Sequence, residues 1–252
     1  MTHLPIVNIA AYKFINLNDV LELQVRLRRY CLQQKILGTI LLGNEGINIM
    51  LAGSEIAIEG FINHLNSDER FQDMAFKKSY SASLPFSKLV VKIKNEIIRM
   101  DKPDIEPQRA TAPYITPEHL KTWLDKDADV VLLDTRNAYE TEVGTFNKAV
   151  HLNIDDFRTF PQACAQLTEE HKNKPIVTFC TGGIRCEKAS AYLLQQGFTQ
   201  VYQLEGGILN YFARCEDAHW EGECFVFDNR VSLNSNLQET DNFKHLVNKS
   251  SA

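Results

Sequence analysis

The apolar run Ile176-Val177-Thr178-Phe179 breaks into the loop Cys180-Thr181-Gly182-Gly183-Ile184-Arg185. A stretch with helical spacing follows at once, Cys186-Glu187-Lys188-Ala189-Ser190-Ala191-Tyr192-Leu193-Leu194. No other feature restricts the fold as much. A short apolar run that ends at a glycine loop and leads into a helix is the strand–loop–helix unit of a parallel sheet. The loop then falls at the carboxyl end of its strand, where such sheets bind ligands. Paired glycines let the backbone curl so that its N–H groups point inward, and the amino end of the helix is positive. A thiol over those groups should ionise below its reference value of about 8.5 and act as a nucleophile at neutral pH. Arg185 adds a fixed positive charge. A merely structural cysteine beside a turn would need neither the two glycines nor the arginine, so Cys180 is read as a catalytic residue in an active-site loop formed by Thr181, Gly182, Gly183, Ile184 and Arg185.

A chain of 252 residues can bury two separate cores. No apolar run approaches the ~20 residues of a membrane-spanning helix, so no membrane association is expected. The start, Met1-Thr2-His3-Leu4-Pro5, lacks the basic and apolar blocks of a secretory signal. Six cysteines at irregular spacings do not make a disulfide framework, and they read as the reduced thiols of a cytoplasmic protein. The net charge of −5 argues against nonspecific nucleic-acid binding, yet it is unevenly spread. Residues 1–115 carry 14 Lys and Arg against 12 Asp and Glu, whereas the remainder carries 13 against 20. The basic residues in front cluster as Arg26, Arg28 and Arg29, as Lys77 and Lys78, and as Lys88, Lys92 and Lys94. Of these, Arg28, Arg29, Lys77, Lys78 and Lys88 are the candidates for a phosphate-binding surface, and so for RNA binding should the partner be a nucleic acid; the alternative is a solvated face.

Strand and helix signals divide the chain. In residues 1–100, strands are expected over Ile6 to Phe14, Ile36 to Leu42, Ile47 to Leu51, Ala75 to Tyr80 and Leu89 to Ile93. One helix, capped by Asn18 or Asp19, should turn Leu21, Val25 and Leu27 inward, and a second should start at Ser54. Gly43-Asn44-Glu45-Gly46 reads as a tight turn. The order β-α-β-β-α-β plus one strand matches an α+β, ferredoxin-like split βαβ domain. Residues 101–117, with Pro103, Pro107, Pro113 and Pro117, read as a linker. Residues 118–220 alternate strands and helices and predict an α/β domain with a parallel sheet. Residues 221–252 read as a polar, partly disordered extension.

Other residues admit two readings. Cys186 is a possible resolving thiol for an oxidised or sulfur-loaded Cys180, or simply a small packed residue. Asp134 and Arg136, at a strand end, are either loop-orienting groups or a structural ion pair. Glu187 and Lys188 are expected as a surface pair, and Cys31 and Cys164 as core. Cys215 and Cys224 flank Trp220 without histidine partners and make a poor zinc site. No facial-triad spacing for iron and no Gly-x-Gly-x-x-Gly for a nucleotide cofactor is present, so no metal ligands and no cofactor are identifiable. Nothing in the sequence fixes an oligomeric state.

Four segments occur here in an order found in one family: Gly43 to Asn48, Pro85 to Leu89, Cys180 to Lys188 and Trp220-Glu221-Gly222-Glu223-Cys224-Phe225-Val226-Phe227-Asp228. The second half resembles a rhodanese domain through Leu132 to Arg136, Gly144 to His151, Cys180 to Arg185 and Leu204 to Ile208. The Cys-x4-Arg loop is one residue shorter than in the phosphatase relatives and suits a single sulfur atom. Over residues 5–231 the chain is similar to the rhodanese-containing tRNA uridine hydroxylases. That resemblance implies hydroxylation of uridine 34 to 5-hydroxyuridine, dioxygen as co-substrate, the tRNA anticodon arm as partner and Cys180 as the essential residue, carried as a persulfide by analogy. A plain sulfurtransferase using a Cys180 persulfide is the alternative, and a noncatalytic RNA-binding module a third reading. The cysteine-rich tail found in many members is absent, since no cysteine follows Cys224.

Overall fold

The computed structural model describes residues 6–245. Two units result, Met1–Ile98 and Arg99–Ala252. In the first, the elements are β1 (Ile6–Phe14), α1 (Val20–Gln33), β2 (Leu37–Gly43), β3 (Gly46–Gly53), α2 (Glu55–Asn66), β4 (Lys77–Ser81) and β5 (Leu89–Ile93). The strand order is β4-β1-β3-β2-β5; β5 runs parallel to β2 and every other neighbour is antiparallel. The first four positions are those of a ferredoxin-like split βαβ sheet, and β5 is the extra strand at one edge. Val7, Ile9 and Ala11 of β1, Ile40 and Leu42 of β2, and Ile47, Ile49 and Leu51 of β3 lie on one face by strict alternation. They pack with Leu23, Leu27 and Cys31 of α1 and Ile58, Phe61 and Leu65 of α2. Ser54 caps α2, its hydroxyl accepting from the Ala57 N–H at 3.3 Å. The inward face of α1 differs from expectation. Leu21 and Val25 are 71% and 55% exposed, because the buried stripe Leu23, Leu27, Cys31 repeats every four residues and leaves them on the opposite side.

The second unit contains β6 (Tyr114–Ile115), α3 (Pro117–Asp125), β7 (Val131–Asp134), α4 (Ala138–Thr141), β8 (Gly144–Phe146), β9 (Val150–His151), α5 (Phe160–Ala163), α6 (Glu169–Lys172), β10 (Ile176–Phe179), α7 (Ile184–Gln195), β11 (Val201–Leu204), α8 (Gly207–Cys215), β12 (Trp220–Gly222), β13 (Cys224–Phe225) and β14 (Ser232–Leu233). Strands β6-β11-β10-β7-β9 form an all-parallel sheet. Every residue of β7 and β10 is buried, as expected of strands covered on both faces.

The segment read as a linker, 101–117, is instead part of this unit. Ile105, Ala112 and Ile115 are buried, and Tyr114–Ile115 adds the edge strand beside β11. Pro103 and Pro107 lie in turns and Pro117 opens α3, while Ile105, Ala112 and Ile115 point inward and Ala110 and Tyr114 stay exposed. Residues 221–245 likewise do more than the polar extension suggested. β12 pairs with β8 and β13 with β14, and the Glu223 carboxylate gathers Ser232, Thr240 and Asn242, each at 2.6 Å. The start of the chain and the end of the expected disordered tail lie outside the described residues.

Candidate active site

Cys180 follows the last residue of β10 and is 1% exposed. The loop after it ends at Gly183, whose φ of 97° lies in the left-handed region and turns the chain into α7. That turn aims the Gly183 N–H at Sγ of Cys180, 3.1 Å away. The opposite side of the loop is held by α8. The Ile208 N–H donates to the Cys180 carbonyl at 3.0 Å, and the Leu209 N–H to the Thr181 carbonyl at 3.1 Å. The loop's carbonyls therefore turn outward to one helix, and its amides remain for the sulfur. Such close approach requires glycine at 207. A Cβ there would lie 2.4 Å from the Cys180 carbonyl oxygen and 2.7 Å from the Gly183 nitrogen.

Burial is the largest influence on Cys180 and by itself raises its pKa. Four groups overcome it: the Cys186 thiol, the charge of Arg185, and the backbone N–H groups of Arg185 and Gly183. The net result holds Cys180 well below the usual thiol range, as a thiolate at neutral pH. Cys186, fully buried on the first turn of α7, is pushed the other way by its burial and by the neighbouring sulfur. It therefore keeps its proton and donates it toward Cys180. Thr135 lies against it with Oγ1 3.8 Å from Sγ. The remaining buried thiols are inert by comparison, since burial pushes Cys31, Cys164 and Cys224 up to about 12.

Arg185 is 5% exposed and needs a partner for its charge. Glu140, completely buried on α4, supplies it in a two-point fork of 2.5 and 2.7 Å. The same carboxylate accepts the Asn137 N–H at 3.1 Å. The charge of the guanidinium acts on the Cys180 sulfur, and its centre lies 5.6 Å from the ring centre of Phe227. Glu140 was not singled out from the sequence. Its only local mark is the Asn137-x-x-Glu140 spacing of a helix start, which says nothing about an arginine 45 residues later. The loop's outer wall is the strand after Trp220, in the segment Trp220 to Asp228 that the resemblance marked without giving it a place: Thr181 donates from Oγ1 to the Phe225 carbonyl at 3.1 Å.

Asp134 and Arg136 form a wholly buried pair at 2.6 Å. Arg136 also donates to the carbonyls of Glu140 and Gly144 and faces the Trp220 ring at 5.4 Å. It thus supports the turn that carries Glu140, and Thr135, between the pair, meets the Cys186 side. Glu187 and Lys188 are not a surface pair: both are buried, and Glu187 accepts from Tyr114 at 2.6 Å and Gln203 at 3.2 Å. The helix turn that presents Arg185 to the loop carries these next two side chains inward with it.

The candidate RNA-binding residues do not share one surface. Arg28 and Arg29 are exposed on α1. Lys77 and Lys78 lie on β4, at the sheet edge opposite β5, and Lys88 immediately precedes β5. Lys77 sits 5.2 Å over the ring of Tyr12, and Lys78 pairs with Glu59. Asn48, on β3 at the end of the family-like segment Gly43 to Asn48, donates to the Ile97 carbonyl at 3.2 Å. Among the described residues, no group of three or more His, Cys, Asp or Glu side chains is placed to hold a metal ion, and no helix is long and apolar enough to cross a membrane.

Two domain families match the chain: the UPF0176 acylphosphatase like domain over residues 6–97 and the rhodanese-like domain over 116–214. The tRNA uridine(34) hydroxylase of Cupriavidus necator is 48% identical over 93% of this chain and 85% of its own length. That of Cupriavidus metallidurans is 49% identical over the same shares. The tRNA uridine(34) hydroxylase of Bordetella parapertussis is 48% identical over 92% of this chain and 97% of its own.

Proposed function

We propose a mechanism from the premise that this chain belongs to the tRNA uridine(34) hydroxylase family. The protein is a tRNA-modifying enzyme that hydroxylates uridine 34, and the reaction depends on Cys180. The observation that carries this reading is a sulfur held as thiolate by the amides of one loop and by Arg185, itself fixed by Glu140. C5 of uracil is a poor site for oxidation while the C5–C6 double bond is intact. Addition of the thiolate at C6 forms an S–C6 bond and moves the π pair toward C5 and the O4 carbonyl. C5 can then attack dioxygen, the co-substrate, and loss of the C5 proton with expulsion of the Cys180 thiolate restores the ring as a 5-hydroperoxide. The freed thiolate takes the outer hydroperoxide oxygen, which breaks the O–O bond and leaves 5-hydroxyuridine and a Cys180 sulfenic acid. The Cys186 thiol then closes a disulfide with loss of water, so the two thiols supply the two electrons. An external thiol reduces the disulfide before the next turnover. Cys186, which keeps its proton, stands beside Cys180 as the thiol able to capture it as a disulfide after oxidation.

The depth of Cys180 favours a second form of the same chemistry. At 1% exposure its own sulfur is a poor reach for a ring carbon, whereas a persulfide sets its outer sulfur about 2.05 Å further along. Intact-protein mass spectrometry separates the two forms, since only the second adds the mass of one sulfur atom. The anticodon arm is held through phosphates by Arg28, Arg29, Lys77, Lys78 and Lys88, acting on separate surfaces rather than as one patch. The cytoplasm, where tRNA is found and thiols stay reduced, is the compartment this chemistry needs.

The test is nucleoside mass spectrometry of tRNA from cells lacking the protein, complemented with wild type or Cys180→Ser. Wild type should restore 5-hydroxyuridine and Cys180→Ser should not. Retention of the nucleoside by Cys180→Ser overturns the mechanism. Unchanged tRNA alongside rapid thiosulfate–cyanide turnover would instead select the sulfurtransferase reading.

A further inference from the structure

Phe227 is 45% exposed, although its neighbours along the chain, Phe225 and Val226, are buried. It occupies the tip between β13 and β14, and that tip is rigid. The Val226 N–H donates to the Val231 carbonyl at 2.8 Å, and the Val231 N–H to the Asp228 carbonyl at 3.0 Å. Arg230 grips the Asp228 carboxylate at 2.8 and 2.6 Å, both side chains being 6% exposed. Beneath the exposed ring, Phe225 packs edge-on at 5.3 Å and is itself braced by Tyr139 at 5.3 Å. The strand is tied to the reactive loop by the bond from Thr181 to the Phe225 carbonyl. An aromatic side chain is therefore presented to solvent on a stiff mount, one guanidinium away from the Cys180 sulfur. Core packing gains nothing from leaving a phenylalanine so exposed, whereas an unpaired base recognised in a single-stranded loop needs such a face: aromatic rings and arginine planes are the usual platforms for splayed-out bases.

We propose that Phe227 is the stacking platform for the target pyrimidine, holding the unstacked ring over the mouth of the Cys180 loop beside Arg185. This inference rests on the hydroxylase reading and adds the binding site for the base. Stacking is indifferent to the identity of the base, so Phe227 supplies placement and not the choice of uracil.

The experiment uses the full chain with Phe227→Ala, Phe227→Leu, Phe227→Tyr and Phe227→Trp, assayed for 5-hydroxyuridine formation on tRNA, with thermal unfolding as a fold control. Loss of one stacked base lowers kcat/KM by about 5- to 150-fold in Phe227→Ala. Phe227→Leu, apolar and of comparable bulk, should stay low, while Phe227→Tyr and Phe227→Trp recover most of the loss. Wild-type-like turnover in Phe227→Ala, or recovery by Phe227→Leu, overturns the platform and leaves the hydroxylase reading intact. If the wild type forms no 5-hydroxyuridine at all, that reading fails, and a binding measurement still decides the platform. An anticodon stem-loop RNA with uridine at position 34 should quench the added indole emission of Phe227→Trp. Absence of that quenching overturns the proposal.

Discussion

At the level of single residues, the site depends on how one sulfur is kept charged inside the protein. The pKa of Cys180 lies lower in the fold than in the unfolded chain. Its anion-favouring contacts therefore contribute stability that is complete above the ordinary thiol range and is lost as pH falls through the folded value. Alkylation of Cys180 by iodoacetamide should accordingly run at nearly the same rate at pH 7 and pH 8. In Arg185→Gln the profile should move to higher pH by about 1–3 units, the effect of removing a close opposite charge. A profile that stays in place would mean that the backbone amides suffice alone. Glu140→Gln leaves a buried guanidinium with half of its fork, and loss of a buried partner costs about 3–5 kcal/mol. Denaturant unfolding at neutral pH should show that loss, and Gly182, with no atom within 4 Å of an added Cβ, offers a Gly182→Ala control that does not.

Among the elements, α8 does what its sequence did not advertise. Glu205-Gly206-Gly207 reads as a turn into a helix, and so it is, but its purpose is to press the helix start against the Cys180 loop. Gly207→Ala combines a φ of 67° with a clash against backbone atoms, so nothing flexible can give way. It should cost more than about 1 kcal/mol in thermal unfolding and abolish hydroxylation; retention of full activity would show that the loop does not depend on this contact. The elements that the sequence reveals are the ones with local signatures. β10, the paired glycines and α7 are adjacent in the chain, and β1 to β3 alternate cleanly. What it conceals is made by pairings across long separations: Glu140 with Arg185, and the short β12 with β8. Strands of two or three residues carry no periodicity, so the wall that bears Phe225 and Phe227 was legible as the family-like segment Trp220 to Asp228 and not as strands beside the loop. The phase of α1 was misread for a related reason. Leu21 and Val25 are as apolar as Leu23, and only the stripe through Leu27 and Cys31 decides which side faces in.

For the whole molecule, the boundary between the units falls at Ile98 and Arg99, earlier than proline content suggests. A fragment of residues 99–252 retains Ile105, Ala112, Ile115 and the edge strand, while one of residues 118–252 loses all four. The longer fragment should unfold in a single cooperative transition, and the shorter should melt at lower temperature or fail to fold. Equal melting temperatures would return 101–117 to the status of a tether. The concealment of Cys180 has a wider consequence. An ionised sulfur in an aerated cell is ordinarily short-lived, attacked by peroxide and by glutathione disulfide. Sunk behind its own loop, this one meets bulky glutathione disulfide poorly, so small oxidants are the ones that reach it, and the buried Cys186 thiol is the neighbour that can trap the oxidised sulfur before it goes further.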